Sequence, residues 1–190
     1  MFAISPNWCT NDLVITGPKA SVEKLVEFVK GDANGDAEAR LFDFGKVIPY
    51  PEEYRIKDDF QHMMSKRYDS KSRYPSFHGC RAMPISDGYN HGGYEWCCNN
   101  WGTKWNARVE NFKMLELGRG EAEAYYNMDT AWSPPMPVLA TLSEKFPDIE
   151  MLVHFVDEGG GFEDEVIIKD GKGFKVPDAN WKFRSSKWEE

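Results

Sequence analysis

The chain has 190 residues, with 31 Asp and Glu against 23 Lys and Arg, so its formal net charge is −8. This excess of acid argues against a generally basic nucleic-acid-binding protein, and a hydrophobic content of 41% excludes a disordered chain. No apolar run approaches the ~20 residues of a membrane span, and residues 1–7 lack the segments of a signal peptide. Two of the four cysteines are adjacent, which does not suit a disulfide framework. We therefore expect a cytoplasmic protein with no membrane partner.

The first predicted elements are a strand, a helix and a strand. Residues 10–17 predict a strand, because β-branched residues there run into a glycine. A helix that begins at Pro18 or Ser21 and ends at Gly31 is predicted next. Its apolar side chains recur at helical spacing, as Val22, Leu25, Val26 and Val29. Residues 41–48 predict the second strand, which two prolines then end.

The second half of the chain repeats this order. Residues 121–130 alternate as a strand, and Ser133 is predicted to cap a helix with Pro134 at its first position. Pro147 ends that helix, and residues 149–156 predict the next strand. A further strand at residues 166–168 is followed by Asp170-Gly171, which is a strong hairpin signal.

Two strand–helix–strand units predict an α+β, ferredoxin-like sandwich, in which two helices cover one face of an antiparallel sheet. The C-terminal hairpin would extend that sheet. We expect residues 1–190 to form a single domain, with an insertion at about residues 50–120 between its halves. This aromatic-rich insertion is predicted to hold short helices at most.

Four short motifs rich in Trp, Gly and Pro stand out along the chain. They are Pro6–Asn11, Asn100–Trp105, Thr130–Pro135 and Glu158–Phe162. Together they resemble the YubB ferredoxin-like domain family, a group of uncharacterised proteins of bacteriophages and bacterial plasmids. The resemblance implies a ferredoxin-like fold, a mobile-element origin and a bacterial host cell. It carries no established catalytic residues, so it assigns none.

The run Trp101-Gly102-Thr103-Lys104-Trp105 is the sharpest candidate binding motif. In one interpretation, Trp101 and Trp105 are exposed and stack on a base or a partner's side chain, while Lys104 supplies charge. In the other, both rings pack into the junction between the insertion and the core, and Gly102 allows a close turn.

Charge is distributed unevenly. Residues 54–81 hold seven Lys and Arg against three Asp, and Lys66, Arg67 and Arg73 are the candidate binding cations. Residues 144–170 hold nine Asp and Glu against two Lys. The candidate binding carboxylates there are Asp157, Glu158, Glu163 and Asp164. Such asymmetry can steer a charged partner onto one face, although both regions could also be ordinary solvated surface.

Metal and enzyme motifs are weak. His78, Cys80, His91, Cys97 and Cys98 match no metal-ligand spacing, so we expect no metal and no cofactor. His154 with Asp157 and Glu158 could serve a hydrolase, but no nucleophile or phosphate-loop motif accompanies them. We therefore expect a protein that is not an enzyme.

The function expected from these features is that of a non-enzymatic accessory protein of a phage or plasmid. It would bind a host protein or ribonucleoprotein complex, for example as a counter-defence inhibitor such as an anti-CRISPR protein, because clustered carboxylates can imitate phosphates. The alternative is a protein that binds RNA or single-stranded DNA through the basic, aromatic insertion.

Overall fold

A computed structural model describes residues 7–32, 39–56 and 93–176. Its strands are β1 (Trp8–Pro18), β2 (Arg108–Gly118), β3 (Glu121–Ala131), β4 (Glu150–Asp157), β5 (Glu163–Lys169) and β6 (Lys172–Lys175). Its helices are α1 (Lys19–Val29), α2 (Phe44–Val47), α3 (Gly93–Asn100) and α4 (Met136–Lys145), and residues 52–56 are also helical. Among these helices, none has the length and apolar character needed to cross a membrane.

The strands form one antiparallel sheet in the order β2-β3-β1-β4-β5-β6. Strand β1 is central, since Leu13 pairs with Tyr126 of β3 on one side and with Val153 of β4 on the other. The units β1-α1-β2 and β3-α4-β4 give the predicted ferredoxin-like α+β fold. The predicted hairpin extends it through β5 and β6, where Asp170 and Gly171 both adopt the positive φ that a two-residue turn requires.

The core lies between one face of the sheet and the helices. Helix α1 packs on β1 and β3, and α4 packs on β4 and β5. The apolar stripe predicted for α1 is confirmed, because Val22, Leu25, Val26 and Val29 are all buried. The sheet supplies alternate residues to the same core, as strand geometry requires, among them Leu13, Ile15, Ala124, Tyr126, Met151 and Val153.

The strand predicted at residues 41–48 is wrong. This segment forms a bend, which contains Phe42, and the short helix α2, which begins at Phe44. Both phenylalanines are fully buried in the core. A short apolar run has no periodicity that separates a strand from a buried helical turn. The strand that completes the first unit is β2, an edge strand whose residues are half-buried or exposed. The expectation of short helices at most over residues 50–120 is therefore also wrong, and the long connection joins α1 to β2.

The predicted start of the second helix is wrong by two residues. Helix α4 begins at Met136, and Pro135 occupies the capping position without a side-chain hydrogen bond. Ser133 does not cap the helix, because its hydroxyl donates to the carbonyl of Gly102 at 2.5 Å. This contact joins the start of α4 to the Trp-rich motif.

Candidate functional site

The described residues of the four Trp-, Gly- and Pro-rich motifs (residues 7–11 of the first) meet at one end of the sheet, where β1 begins and β3 and β4 end. The N–H of Trp132 donates to the carbonyl of Asn7 at 2.9 Å, and the N–H of Glu158 donates to the carbonyl of Trp8 at 2.9 Å. The hydroxyl of Thr103 donates to the carbonyl of Ala131 at 2.8 Å. Motifs that are far apart in sequence thus form one continuous structure, which we call the aromatic end.

Three rings surround a lysine at the aromatic end, and a fourth ring packs on one of them. Trp8 and Trp105 lie with ring centroids 6.0 Å apart, and Tyr94 and Trp132 lie 5.7 Å apart. The Nζ atom of Lys104 lies 4.3 Å from the ring of Trp105, 5.2 Å from that of Trp132 and 6.0 Å from that of Tyr94. These distances are within the ~6 Å range of cation–π attraction. Lys104 therefore links the rings of Tyr94, Trp105 and Trp132, and Trp8 joins them through Trp105. We call these four rings the aromatic cluster.

Trp132 is the most exposed of the large side chains in this cluster, with 40% of its surface accessible. Its φ of 72° lies in the left-handed region, which is uncommon for a bulky residue and costs about 1–3 kcal/mol. The hydrogen bond from its N–H to Asn7 holds this conformation. The backbone is thus strained at Trp132, the residue of the cluster whose ring is most exposed.

Trp101 has a different position from Trp105. It is only 6% exposed, and its Nε1–H donates to the carbonyl of Ile48 at 2.9 Å. Its ring lies 5.8 Å from that of Phe44 and 5.5 Å from that of Trp96. The interpretation of Trp101 as an exposed stacking platform is wrong, and the packing interpretation is confirmed for this residue. Trp105 is half-buried beside Lys104.

The loop between β4 and β5 borders the aromatic end, and Asp157 holds it in shape. Asp157 is 7% exposed, and its Oδ2 accepts the N–H of Gly161 at 3.0 Å. A side chain at Gly159 or Gly161 would come within 3.0 Å of that same oxygen. Asp157 is thus a loop-forming residue, while Glu158, which follows it, is exposed.

The other two predicted binding carboxylates contact neighbouring side chains. Glu163 Oε1 lies 3.0 Å from His154 Nε2, and Asp164 forms an ion pair with Lys175 at 2.6 Å. The hydrogen bond from Lys175 lowers the pKa of Asp164. Of the four carboxylates proposed from sequence, Glu158 therefore lies in the position best suited to meet a partner.

The structure does not bring His154, Asp157 and Glu158 together as a catalytic group. Residues 154 and 157 alternate to opposite faces of β4. His154 lies on the face away from the helices, in register with Asp12 of β1 and Glu165 of β5. The arrangement that the hydrolase interpretation needs is absent from the described residues.

A polar network that no sequence motif indicated lies on that same face. Asp12 Oδ1 accepts a hydrogen bond from the hydroxyl of Tyr125 and another from Asn127 Nδ2 at 2.8 Å. Burial is the main factor that raises the pKa of Tyr125, so the phenol remains a donor. The alternation of polar and apolar residues in β1 and β3 could have indicated this network, because Asp12 lies on the other face of the sheet from the core-facing Leu13.

A second network fixes β1 to β3 beneath the aromatic end. Asn11 is fully buried, and its Nδ2 donates to the carbonyl of Cys9 at 2.8 Å and to that of Met128 at 3.1 Å. Burial raises the pKa of the Cys9 thiol to about 12. Cys9 is therefore protonated at neutral pH and does not supply a nucleophile.

Several predicted residues lie outside the part of the chain that the structure describes. They are Lys66, Arg67, Arg73, His78, Cys80 and His91. Within the described part, no three His, Cys, Asp or Glu side chains are grouped so that they could hold a metal ion.

The comparisons with known proteins agree with the fold. Residues 100–190 match a family model described as a ferredoxin-like domain in Api92-like protein. The crystal structure of the protein api92 from Yersinia pseudotuberculosis is similar, with a TM-score of 0.50 and 11% sequence identity. The match covers 92% of this chain and 99% of that one. At this identity the likeness shows the fold alone. No curated protein matches the sequence.

Proposed function

We propose that this chain is a non-enzymatic accessory protein of a phage or plasmid, of the YubB type, that binds a host protein complex through its aromatic end. The observation that carries the proposal is the strained, 40% exposed Trp132 beside Trp105 and Lys104. Trp and Tyr contribute a large share of binding free energy at protein interfaces, especially where packing has already fixed their rings. The contacts of Lys104 supply that prior ordering.

The chemistry beside the cluster favours a basic protein surface as the partner. Glu158 is exposed next to the cluster, and Phe162, which is 38% exposed, adds apolar area at the same loop. A carboxylate at the rim of an aromatic patch selects cationic partners and raises their rate of association. A host surface that normally receives nucleic acid has this character, so a counter-defence role, such as that of an anti-CRISPR protein, fits the site.

The alternative function, binding of RNA or single-stranded DNA, has less support from the described residues. The face of the sheet away from the helices carries more carboxylates than cations. They are Asp12, Glu121, Glu123, Asp129, Glu150, Glu163 and Glu165, against Arg108, Lys113, Lys169 and Lys172. Such a face repels phosphate. Binding through Lys66, Arg67 and Arg73 stays a prediction.

A pull-down from bacterial lysate, with and without nuclease, tests the proposal. The full chain is compared with Trp132→Ala and with Phe174→Ala, which removes a 55% exposed ring from β6, away from the cluster. We expect a stoichiometric protein partner that resists nuclease, is lost with Trp132→Ala and is retained with Phe174→Ala. Equal retention by both variants would contradict the proposed surface. Enrichment that nuclease abolishes would favour the nucleic-acid alternative.

A further inference from the structure

A polar cleft lies at the other side of Trp101, where the connection that follows α1 meets the residues before β2. Its volume is about 370 Å³, within the range of ~300–1,000 Å³ that is typical of small-molecule sites. Arg40, Lys46 and Arg55 line it, together with Tyr50. Three cationic side chains and two carboxylates, Asp32 and Asp43, thus line one cleft in a chain whose net charge is −8.

Hydrogen bonds fix the walls of this cleft. Asn106 Oδ1 accepts the N–H of Phe44 at 2.9 Å, and its Nδ2 donates to Asp43 Oδ1 at 2.7 Å. The N–H of Gly31 donates to the carbonyl of Arg40 at 2.9 Å, which anchors the backbone of that arginine. The backbone walls of the site are therefore already formed, and binding would order mainly the exposed side chains of Arg40 and Arg55.

The carboxylates of the cleft already have partners. Asp43 Oδ1 also accepts the N–H of Gly45 at 2.8 Å, and Asp32 pairs with Lys46 at 2.7 Å. The ion pair between Arg55 and Glu52 is longer, at 3.6 Å, and exposed, so it is worth little. Within residues 7–32, 39–56 and 93–176, the Arg40 guanidinium has no ion pair. The two guanidinium groups thus retain donors for an anion.

We propose that this cleft binds the phosphate group of a small phosphorylated molecule through Arg40 and Arg55, with Lys46 as the third cation. The planar, charged guanidinium group can donate two parallel hydrogen bonds to phosphate, and such bonds are about twice as strong as neutral ones. The ring of Tyr50 forms an apolar wall beside the cations, suited to the rest of such a ligand. The site is separate from the aromatic end and does not depend on the function proposed there.

Amide chemical shifts of the ¹⁵N-labelled full chain test the site. Inorganic phosphate, AMP and uncharged adenosine are titrated to about 10 mM, a range that reveals even the weak affinities of single contacts. We expect saturable shifts at Gly45 and Lys46 with phosphate and AMP but not with adenosine. Arg40→Gln should weaken binding at least tenfold, whereas Arg119→Gln, at the exposed turn between β2 and β3, should leave it unchanged.

Three outcomes would overturn the proposal. They are the absence of saturable shifts with phosphate and AMP, an equal response in Arg40→Gln and the unchanged chain, and adenosine binding as tight as AMP binding. The spectrum of each variant without ligand reports its fold, and Arg55→Gln repeats the test if Arg40→Gln unfolds. Partner retention in the pull-down should be the same in both arginine variants, so failure of this site and failure of the aromatic end are distinguishable.

Discussion

Trp101 and Trp105 belong to one five-residue segment, yet they belong to different regions of the molecule. Trp101 is 6% exposed, donates to Ile48 and packs on Phe44, so it fastens the long connection to the core. Trp105 is half-buried and packs on Trp8 and Lys104 at the aromatic end. The difference shows that one tryptophan-rich motif can connect the core to a candidate binding surface. The ring before the turn packs in the core, and the ring after it lies at the surface.

The largest expected effect is that of Trp101→Ala. The change leaves a cavity beside Phe44 and an unsatisfied carbonyl at Ile48, so we expect the free energy of unfolding to fall by about 3–5 kcal/mol. Urea denaturation followed by circular dichroism measures it. Trp101→Phe keeps the ring contacts and should lose clearly less. A loss below about 1 kcal/mol for Trp101→Ala would contradict the packing role.

Gly102→Ala should have the next largest effect. Gly102 has a φ of 79°, and a Cβ atom there would lie 2.6 Å from Cδ of Pro137. We expect a loss of about 2–3 kcal/mol, because backbone strain and a clash add. Gly118→Ala is the matched control, since its φ is 84° but no atom lies within 4 Å of the added Cβ. Equal losses in the two variants would show that the contact with Pro137 contributes nothing.

Thr103→Val tests the turn that separates the two rings. Thr103 is 1% exposed, and its hydroxyl donates to the carbonyl of Ala131. The valine keeps the shape of the side chain and leaves that carbonyl without its donor, so we expect a loss of about 1–2 kcal/mol. Thr103→Ser, which keeps the hydroxyl, should recover most of that loss in the same denaturation experiment. Identical stabilities for the two variants would indicate that this hydrogen bond contributes no net stability.

Trp105→Ala should change stability least and binding most. Its ring contacts with Trp8 and Lys104 lie at the rim of the fold, so we expect a stability loss of about 1 kcal/mol. Partner retention in the pull-down should nevertheless be lost, as with Trp132→Ala. If Trp105→Ala were as destabilising as Trp101→Ala, the contrast between the two rings would not hold.

The sequence predicted the second strand–helix–strand unit better than the first. Its elements follow one another closely, and the alternation of Ala122, Ala124, Tyr126 and Met128 marks β3 directly. In the first unit, β2 pairs along one edge only, and its buried and exposed residues alternate weakly. The apolar residues Phe42 and Phe44 instead give a pattern that resembles a strand. The local order of polar and apolar residues indicates which side chains are buried. It does not indicate which distant segment forms the neighbouring strand.

The candidate site was predictable only in part, for a related reason. Its motifs stand out by composition, but only the tertiary structure shows that Trp8 pairs with Ala131, next to Trp132, across β1 and β3. The cleft at Arg40 carries no motif, because its cations come from segments that acquire their positions through α2 and Asn106. The sequence identified the motifs that form the aromatic end. Which of their side chains are exposed depends on tertiary contacts that the sequence does not show.

The central position of β1 has a consequence for fragments of this chain. Residues 100–190, which match the family model, include β2 to β6 but not the strand between β3 and β4. A fragment of that length would expose two unpaired strand edges, which are templates for aggregation. A separate peptide that spans β1 and α1 should restore its solubility by fragment complementation, because an eleven-residue strand would again pair along both edges.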